Sequence, residues 1–414
     1  MEIKYLLRGF TVLVVMMVCV AVWPASARSK TQRPSTDWTQ WLGPNGNGIS
    51  DETGWRTNFP GGKADILWQR RDLGVGYSSV SIHNGKLYTM GWNDDHDIVY
   101  CLTADGGKPI WQRPVPAGRF KKSNDGGPGC TPAVDGDRVY AITSDGLLFC
   151  LNADTGEPRW EKNVTQEFGT KAPRWGFAGS PIIQGNVLYL DVGRIVALDK
   201  MTGKPIWATK ENYGAAYSTP KSFLFKTRDL LAAFPERGLV ILDAKNGREL
   251  ATHGWKTRYG VHAATPIVEG DRIFISSGYN TGCAALQLTD SGLKLLWENR
   301  AMKNQMDTSV LIDGYLYGFD DSLLRCVSLK TGRAMWGKKG LGKGSLQAAD
   351  GKLIILSSRG ELVIARVSPK RFDEISRAKV LDGPECWTVP VLSGGRIYCR
   401  NNRGQIACVD VSGK

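Results

Sequence analysis

Short runs of alternating apolar and polar residues, separated by glycine-containing turns, recur along almost the whole chain. The clearest run spans residues 148–160 (LFCLNADTGEPRW), where the turn Asp154-Thr155-Gly156 follows apolar positions and Trp160 comes four residues after the glycine. Glycine adopts a left-handed conformation without steric cost, so this stretch predicts two antiparallel strands joined by a tight turn. The same glycine-to-tryptophan interval recurs in residues 100–111, 196–207 and 325–336, with weaker copies in residues 240–250 and 284–297.

A second pattern alternates with the first. It consists of Ser or Thr, often Pro, then two apolar residues, a polar-Gly turn and an apolar–aromatic pair, and residues 131–140 (TPAVDGDRVY) are its clearest copy. Close matches occupy residues 180–189, 265–274, 309–317 and 389–398, and looser ones residues 79–88, 218–225 and 348–355. Each copy predicts two short strands with a turn between them.

Together the two patterns predict units of four antiparallel strands, roughly 40–50 residues long, which is the size of a propeller blade. Seven units end at or near Trp111, Trp160, Trp207, Ala251, Trp297, Trp336 and Ile375. An eighth unit, residues 388–411, supplies only three strands, and residues 65–70 supply the fourth. Because pairing the two chain ends removes an exposed sheet edge, we predict an all-β, eight-bladed propeller closed by an N-terminal strand.

Tryptophans recur at one position of these units, and we predict that each one wedges between neighbouring blades and covers the turn of the next. These structural tryptophans are Trp68, Trp111, Trp160, Trp207, Trp297 and Trp336.

The N-terminus has the features of a secretory signal peptide. Lys4 and Arg8 precede an apolar stretch at residues 10–23, and Ala25-Ser26-Ala27 matches a cleavage site. The alternatives are a membrane anchor, although a spanning helix needs about 20 apolar residues, and a lipoprotein attached through Cys19. We assign three regions: a signal peptide at residues 1–27, an N-terminal strap at residues 28–62 and the propeller at residues 63–414.

The strap is rich in Gly, Asn and Trp between residues 37 and 55. We expect an ordered segment without regular structure, because Trp38, Trp41 and Trp55 are costly to leave in water and therefore pack on the main body.

Charge and cysteine content narrow the possible partners. The net charge of +13 favours anionic partners such as acidic glycans or lipid headgroups, but the basic residues are scattered, so we expect no nucleic-acid binding. Eight of the nine cysteines lie after the signal peptide, and this even number permits disulfides in an exported protein. Four share one repeat position and are expected to be small buried residues: Cys101, Cys150, Cys326 and Cys408. Cys399 and Cys408 flank a turn, and this pair is the candidate disulfide.

The rhythm of residues 197–207 (ALDKMTGKPIW) resembles the tryptophan-docking repeat of pyrroloquinoline-quinone (PQQ) repeat propellers. Residues 37–50 (DWTQWLGPNGNGIS) also resemble the opening of exported PQQ-like propeller proteins of planctomycetes, with Leu42 in place of the usual Arg. The repeat is shared by quinoprotein alcohol dehydrogenases and by non-enzymatic members, including the propeller protein of the outer-membrane β-barrel assembly machinery. Paired His often occupy the segment in which this chain has Gln305 and Met306.

Membership of the enzyme group would imply Ca²⁺, a catalytic Asp and commonly a vicinal disulfide under the cofactor. The sequence has no vicinal cysteines and no acidic set that matches this pattern. None of its four histidines has metal-ligand spacing to another: His83, His96, His253 and His262. We therefore predict no catalytic residue, no metal and no cofactor, with PQQ as the alternative cofactor.

The loop that enters the innermost strand of each blade lines the channel mouth of a propeller. These loops contribute an aromatic and polar ring that suits a sugar, a peptide or a planar ligand: Tyr77, Asp125, Trp175, Tyr217, His262, Gln305, Asp307, Lys343 and Trp387. The alternative is that these side chains simply plug the channel.

Our interpretation is a non-enzymatic, exported, monomeric propeller that binds a protein, peptide or glycan partner in the periplasm or cell envelope. It would have no transmembrane segment once the signal peptide is removed. The alternatives are a PQQ-dependent quinoprotein oxidoreductase and a scaffold in outer-membrane protein assembly.

Overall fold

The computed structural model describes residues 1, 36–93, 96–116, 126–383 and 385–413, and these form eight antiparallel sheets arranged as the blades of a propeller. Blade 1 contains β3 (Ser81–His83), β4 (Lys86–Asn93), β5 (His96–Thr103) and β6 (Pro109–Val115). Blade 2 contains β7 (Ala133–Asp135), β8 (Arg138–Ile142), β9 (Leu147–Asn152) and β10 (Pro158–Asn163). Blade 3 contains β11 (Ile182–Gln184), β12 (Val187–Asp191), β13 (Ile195–Asp199) and β14 (Pro205–Ala208).

The next three blades follow the same order. Blade 4 contains β15 (Lys221–Phe225), β16 (Arg228–Ala233), β17 (Gly238–Asp243) and β18 (Glu249–Gly254). Blade 5 contains β19 (Ile267–Glu269), β20 (Arg272–Ser277), β21 (Gly282–Thr289) and β22 (Gly292–Asn299). Blade 6 contains β23 (Val310–Ile312), β24 (Tyr315–Asp320), β25 (Leu323–Ser328) and β26 (Ala334–Lys338).

The last two blades also include strands from the N-terminal part of the chain. Blade 7 contains β27 (Ser345–Ala349), β28 (Lys352–Leu356), β29 (Glu361–Arg366) and β30 (Asp373–Lys379), with β1 (Ile49–Ser50) added beside β27. Blade 8 contains β31 (Val391–Ser393), β32 (Arg396–Arg400), β33 (Ile406–Asp410) and β2 (Ile66–Arg70). The described helical segments are short: α1 (Val164–Phe168) and two 3₁₀ turns, Pro60–Gly62 and Arg258–Gly260.

The ring closes through β2, as the sequence predicts. β2 pairs antiparallel with β33, with Trp68 opposite Cys408, so the first long strand of the chain completes the last blade. The buried Arg400 of β32 adds a second connection, because its guanidinium donates to the carbonyl oxygens of Gly76 and Ser78, both at 2.9 Å, in the segment that leads into blade 1. The N-terminal strand therefore completes blade 8 by main-chain pairing, and one buried cation joins blade 8 to the segment that leads into blade 1.

One cross-strand row repeats in the blades and explains the tryptophan period. In blade 2, Tyr140, Cys150 and Trp160 lie opposite one another on β8, β9 and β10, and a bulge between Pro158 and Trp160 precedes the tryptophan. The indole N–H of Trp160 donates to the carbonyl of Lys200 in blade 3 at 3.0 Å, and its ring covers Gly203. The other five predicted structural tryptophans donate in the same way to the next blade, and their acceptors are the carbonyls of Ala104, Ala153, Ala244, Leu329 and Ser368.

Two blades lack this tryptophan. In blade 4, Ala251 occupies the position of the tryptophan in the strand pairing. In blade 7, Ser376 occupies it, one residue beyond the predicted Ile375. In blade 7, Trp55 and Phe59 from the strap join the buried cluster that contains Ile354 and Ile364, so apolar volume from another part of the chain fills this interface.

The cysteines are buried and unpaired among the described residues. Cys101, Cys150, Cys326 and Cys408 each lie opposite a tryptophan. The candidate disulfide between Cys399 and Cys408 is wrong, because β32 and β33 pair Cys408 with Tyr398 and Cys399 with Ala407. Successive residues of a strand point to opposite faces, so the two thiols belong to different buried clusters.

The described part of the strap, residues 36–62, crosses the inner strands and contacts every blade. Hydrogen bonds join it to Ile82, Val134, Ile183, Lys221, Thr265, Ala348 and Gly394 in seven blades, and Gly48 lies against Val310 in blade 6. Trp38 and Trp55 are buried. The expectation of a strap without regular structure needs a correction, because Ile49 and Ser50 pair in parallel with β27.

We expect Trp160→Ala to lower the free energy of unfolding by about 3–5 kcal/mol, because it removes the large side chain that packs between blades 2 and 3. Urea unfolding followed by circular dichroism measures the change. Trp175→Ala is the matched control, since that indole is 36% exposed and should change the midpoint little. Equal midpoints for the two variants would contradict the role given to Trp160.

The turn glycines supply an independent test of the same contact. A Cβ on Gly203 would lie 2.8 Å from the Trp160 ring, whereas a Cβ on Gly185, in the same blade and also at positive φ, would meet nothing within 4 Å. We expect Gly203→Ala to destabilise the protein by about 1–3 kcal/mol more than Gly185→Ala, because only the first substitution overpacks the interface. Equal effects would show that backbone conformation alone requires these glycines.

Candidate functional site

The loops that lead into the innermost strands surround a cavity of about 360 Å³ at one end of the channel. Small-molecule sites occupy about 300–1,000 Å³, so this cavity is of a size to hold a small molecule or a short segment of a larger one. Its lining is mostly aromatic or small: Trp41, Tyr77, Gly127, Gly129, Trp175, Ala178, Tyr217, Thr219, Val261, Ala263, Tyr279, Gln305, Met306, Trp387 and Thr388.

Trp41 comes from the strap, whereas the other lining residues come from the propeller that follows it. Its indole N–H donates to Thr265 Oγ1 at 3.1 Å, which fixes the ring beside the start of blade 5. The rest of the strap crosses the inner strands, so a segment that precedes the blades in the sequence contributes to the cavity wall. Sequence reasoning placed Trp41 on the main body but did not identify it as a site residue.

Five of the predicted mouth residues line the cavity: Tyr77, Trp175, Tyr217, Gln305 and Trp387. Lys343 lies behind the wall, where its ammonium donates to Gln305 Oε1 at 2.9 Å and pairs with Asp321 at 3.0 Å. Asp125 lies outside the described residues.

His262 and Asp307 are buried and do not reach the cavity, which corrects the prediction for both. The neighbours of His262, Val261 and Ala263, line the wall, because adjacent residues of an extended segment point in opposite directions. The His262 ring stacks on Phe234 with centroids 4.3 Å apart, and its Nδ1 lies 2.6 Å from the carbonyl oxygen of Pro235. Burial lowers the pKa of His262 to about 4, so the ring is neutral at ordinary pH.

Tyr77 and Trp387 form one side of the mouth, across the seam where the ring closes. Their rings stack with centroids 5.5 Å apart and an interplanar angle of 13°. The carbonyls that accept from Arg400 belong to the residues on either side of Tyr77, and Thr388 Oγ1 donates to the carbonyl of Arg400 itself. Arg400 therefore positions both members of this aromatic pair.

The opposite side of the mouth carries a second aromatic group, which we call the aromatic rim: Trp175, Tyr217, Tyr259 and Tyr279. Trp175 lies 6.1 Å from Tyr217 and 6.0 Å from Tyr259, and Tyr259 lies 5.7 Å from Tyr279 between ring centroids. Tyr259 and Tyr279 are exposed and have φ of +73° and +53°. A bulky residue in this conformation costs about 1–3 kcal/mol and is frequent at functional sites.

Sequence reasoning missed Tyr259, Tyr279 and Met306. The signal for Tyr279 was present, because the sequence SGYNTG fits a tight turn in which Tyr279 and Asn280 occupy positions that favour Gly or Asn.

The Ser and Thr residues of the second sequence pattern bind one blade to the next around the channel. Ser79 N–H donates to Thr131 Oγ1, Thr131 N–H to Ser180 Oγ, and Ser180 N–H to Thr219 Oγ1, at 2.9–3.0 Å. Thr265 N–H donates to Thr308 Oγ1 in the same manner. The main chain at these positions is therefore occupied by hydrogen bonds between blades, and the side chains of the preceding loops form the wall.

The lining does not fit a quinone cofactor bound with Ca²⁺. A hard cation needs several converging oxygen ligands, yet among the described residues that line the cavity none is charged and the single amide is Gln305. Within the described ranges, no group of three His, Cys, Asp or Glu is placed to hold a metal ion.

Comparisons with known proteins agree with the architecture. The family model described as outer membrane protein assembly factor BamB matches residues 95–338, which is more than half of the chain. BamB from Moraxella catarrhalis superposes with a TM-score of 0.61 at 16% identity, covering 84% of this chain and 99% of that one. Quinohemoprotein alcohol dehydrogenase from Comamonas testosteroni superposes with a TM-score of 0.67 at 12% identity, covering 92% of this chain and 81% of that one. The computationally designed Ika8 protein superposes with a TM-score of 0.60 at 9% identity, covering 84% of this chain and 99% of that one.

These structural similarities, all below 25% identity, establish the fold and leave the activity open. No curated protein matches the sequence. In the described ranges, none of the helices has the length and apolar character needed to span a bilayer.

Buried carboxyls near the blade ends predict an unusual pH dependence. Burial raises the pKa of Asp97, Asp191 and Asp307 to about 7, far above the ordinary value of about 3.9. Between these pH values the folded chain holds protons that the unfolded chain has released, so stability is greatest below pH 4 with respect to these groups and falls as the pH rises towards 7.

We expect Asp307→Asn to flatten this slope by about 1 kcal/mol per pH unit, measured by urea unfolding between pH 4 and pH 8. The exposed Asp51→Asn serves as the control and should leave the slope unchanged. The assignment is wrong if Asp307→Asn retains the full pH dependence of the parent protein.

Proposed function

Because the chain belongs to the family described as outer membrane protein assembly factor BamB, we propose that it is an exported binding protein without enzymatic activity. Its site of action is the periplasm or cell envelope, and it acts as a monomer. The ligand is a short peptide or glycan segment that enters the channel mouth.

One observation carries this proposal. The described lining of the cavity consists of aromatic, small and amide side chains, includes Trp41 from the strap, and contains no charged residue. Aromatic faces and a few polar groups are what ligand sites use to bury apolar surface and to orient a ligand. A cavity of about 360 Å³ admits one small unit, so a larger partner would insert only a segment.

Export rests on the sequence features of residues 1–27, and we propose that the signal peptide is cleaved after Ala27. N-terminal sequencing of protein recovered from the periplasmic fraction tests this assignment, with Arg28 expected as the first residue. Processing at Cys19 would instead favour lipidation, and retention of the residues before the apolar stretch would favour an anchor.

The alternative of a quinoprotein oxidoreductase is less well supported, because the lining lacks the oxygen ligands that a hard cation requires. Adding PQQ and Ca²⁺ to the purified protein distinguishes the two functions. Stoichiometric binding together with alcohol-dependent reduction of a dye would replace our proposal with the enzymatic one.

A scaffold in outer-membrane protein assembly is the second alternative, and the description of the matching family favours it. A pull-down with purified outer-membrane barrel proteins separates the two roles. Retention of a folded barrel by a variant whose mouth is altered would favour a scaffold that uses another surface.

We expect the exported protein to bind at least one of three probes with 1:1 stoichiometry in calorimetry: a neutral trisaccharide, an acidic trisaccharide or an aromatic tripeptide. Trp387→Ala should weaken that binding at least tenfold, because it removes half of the stacked pair at the mouth. Met335→Ala, an exposed apolar residue on the outer strand β26, is the control. Binding that Trp387→Ala leaves unchanged would contradict a site at the mouth.

A further inference from the structure

Two arginines frame the aromatic rim. The Arg174 guanidinium lies 5.3 Å from the ring centroid of Trp175 and 5.1 Å from that of Tyr259, and the Arg258 guanidinium lies 5.0 Å from Tyr259. Both arginines are exposed, and among the described residues neither forms an ion pair. Glu236 lies against Gly214 and Gly260, and it forms no ion pair with Arg174 or Arg258.

Cation–π contact with aromatic rings holds these guanidinium groups at the rim without neutralising them. The N–H donors of a guanidinium match a carboxylate in bidentate geometry. Arg174 and Arg258 lie 5.1 Å and 5.0 Å from the centroid of the same ring, Tyr259, so two cations without an ion-pair partner among the described residues border the same part of the rim. This arrangement predicts a negatively charged group on the ligand.

The charge of the rim differs from that of the cavity beneath it. Trp175, Tyr217 and Tyr279 belong to both, but the part of the cavity lining that the structure describes includes no cation and no carboxylate. A ligand that satisfies both parts has an uncharged ring with an apolar face for the aromatic wall, hydroxyl groups for Gln305 and Thr219, and an acidic substituent at the rim. A sugar that carries a carboxylate has all three features.

A peptide bound through its main chain is less suited to this site. Recognition of an extended peptide uses unpaired backbone N–H and C=O groups of the protein. At the mouth, the N–H groups of Tyr77 and Ser78 donate to Pro128 O, and that of Tyr217 donates to His262 O. The wall therefore offers side chains for recognition, which is how a carbohydrate ring is bound.

We propose that the channel mouth binds an acidic carbohydrate, with a carboxylate held by Arg174 and Arg258 and the adjoining ring against the aromatic wall. This inference rests on the proposed function, because it names the ligand class of the same site. It makes the two arginines specificity residues, and it explains why Tyr259 is held in an unfavourable backbone conformation at the rim.

The test uses a matched pair of ligands. Calorimetry compares the exported protein's binding of trigalacturonic acid with its binding of the fully methyl-esterified trisaccharide, which has the same rings without charge. We expect the ester to bind at least tenfold more weakly. The double variant Arg174→Gln/Arg258→Gln should bind the two ligands equally, whereas Arg371→Gln/Arg333→Gln, with the same charge change on exposed outer positions, should keep the preference.

Each other outcome counts against the inference. If the acid and its ester bind equally, or if hexaglutamate binds more tightly than the acidic sugar, the site does not recognise acidic carbohydrate, although the proposed binding function stands. If the double variant keeps the preference, the arginines are not the specificity residues. If neither sugar, nor hexaglutamate, nor an aromatic tripeptide binds, both the inference and the proposed function fail.

Discussion

The sharing of one sheet by the two ends of the chain is the constraint on which the remaining structure depends. Each of the eight sheets buries both faces against its neighbours. The first and last sheets can do so only if they contact each other, because an open stack exposes an apolar face at each end. Pairing of β2 with β33 completes blade 8, and Trp68 of β2 and the fully buried Arg400 then join blade 8 to blade 1 through Ala104, Gly76 and Ser78. The Tyr77–Trp387 stack exists only because the ring is closed there.

Within the closed ring, one local contact is repeated with small variations. An indole from one blade lies on a turn glycine of the next and donates to a nearby carbonyl, so the contact combines apolar burial with a satisfied N–H. The blades without the tryptophan show that volume matters more than residue type, since Trp55 and Phe59 fill the equivalent space in blade 7. The strap thus contributes to the core of the ring as well as to the cavity.

Much of the fold could be predicted from the sequence because the repeat is local. Strand, turn glycine and tryptophan lie within a dozen residues, and the blade count and the closing strand follow from that period. The site was predicted less well, because the direction of a loop side chain depends on backbone conformation that no period encodes. His262 and Asp307 lie in the expected loops but point away from the cavity, while Tyr259 and Tyr279 reach the mouth through left-handed conformations that residue type alone disfavours.

The repeat sets the fold and the loops form the site, which explains why a propeller fold determines so little about function. The inner strands are fixed by hydrogen bonds that main-chain N–H groups of one blade donate to Ser and Thr hydroxyl oxygens of the next, so these mouth loops end at a rigid anchor. A loop that is anchored at its end can change its side chains without altering the ring. Here Trp41 of the strap also forms part of the cavity wall, beside the start of blade 5. The chemistry that a ligand meets is therefore set by the few loop residues at the mouth. Their aromatic rings, with two arginines placed over them, lie outside the repeat and are particular to the loops of this chain.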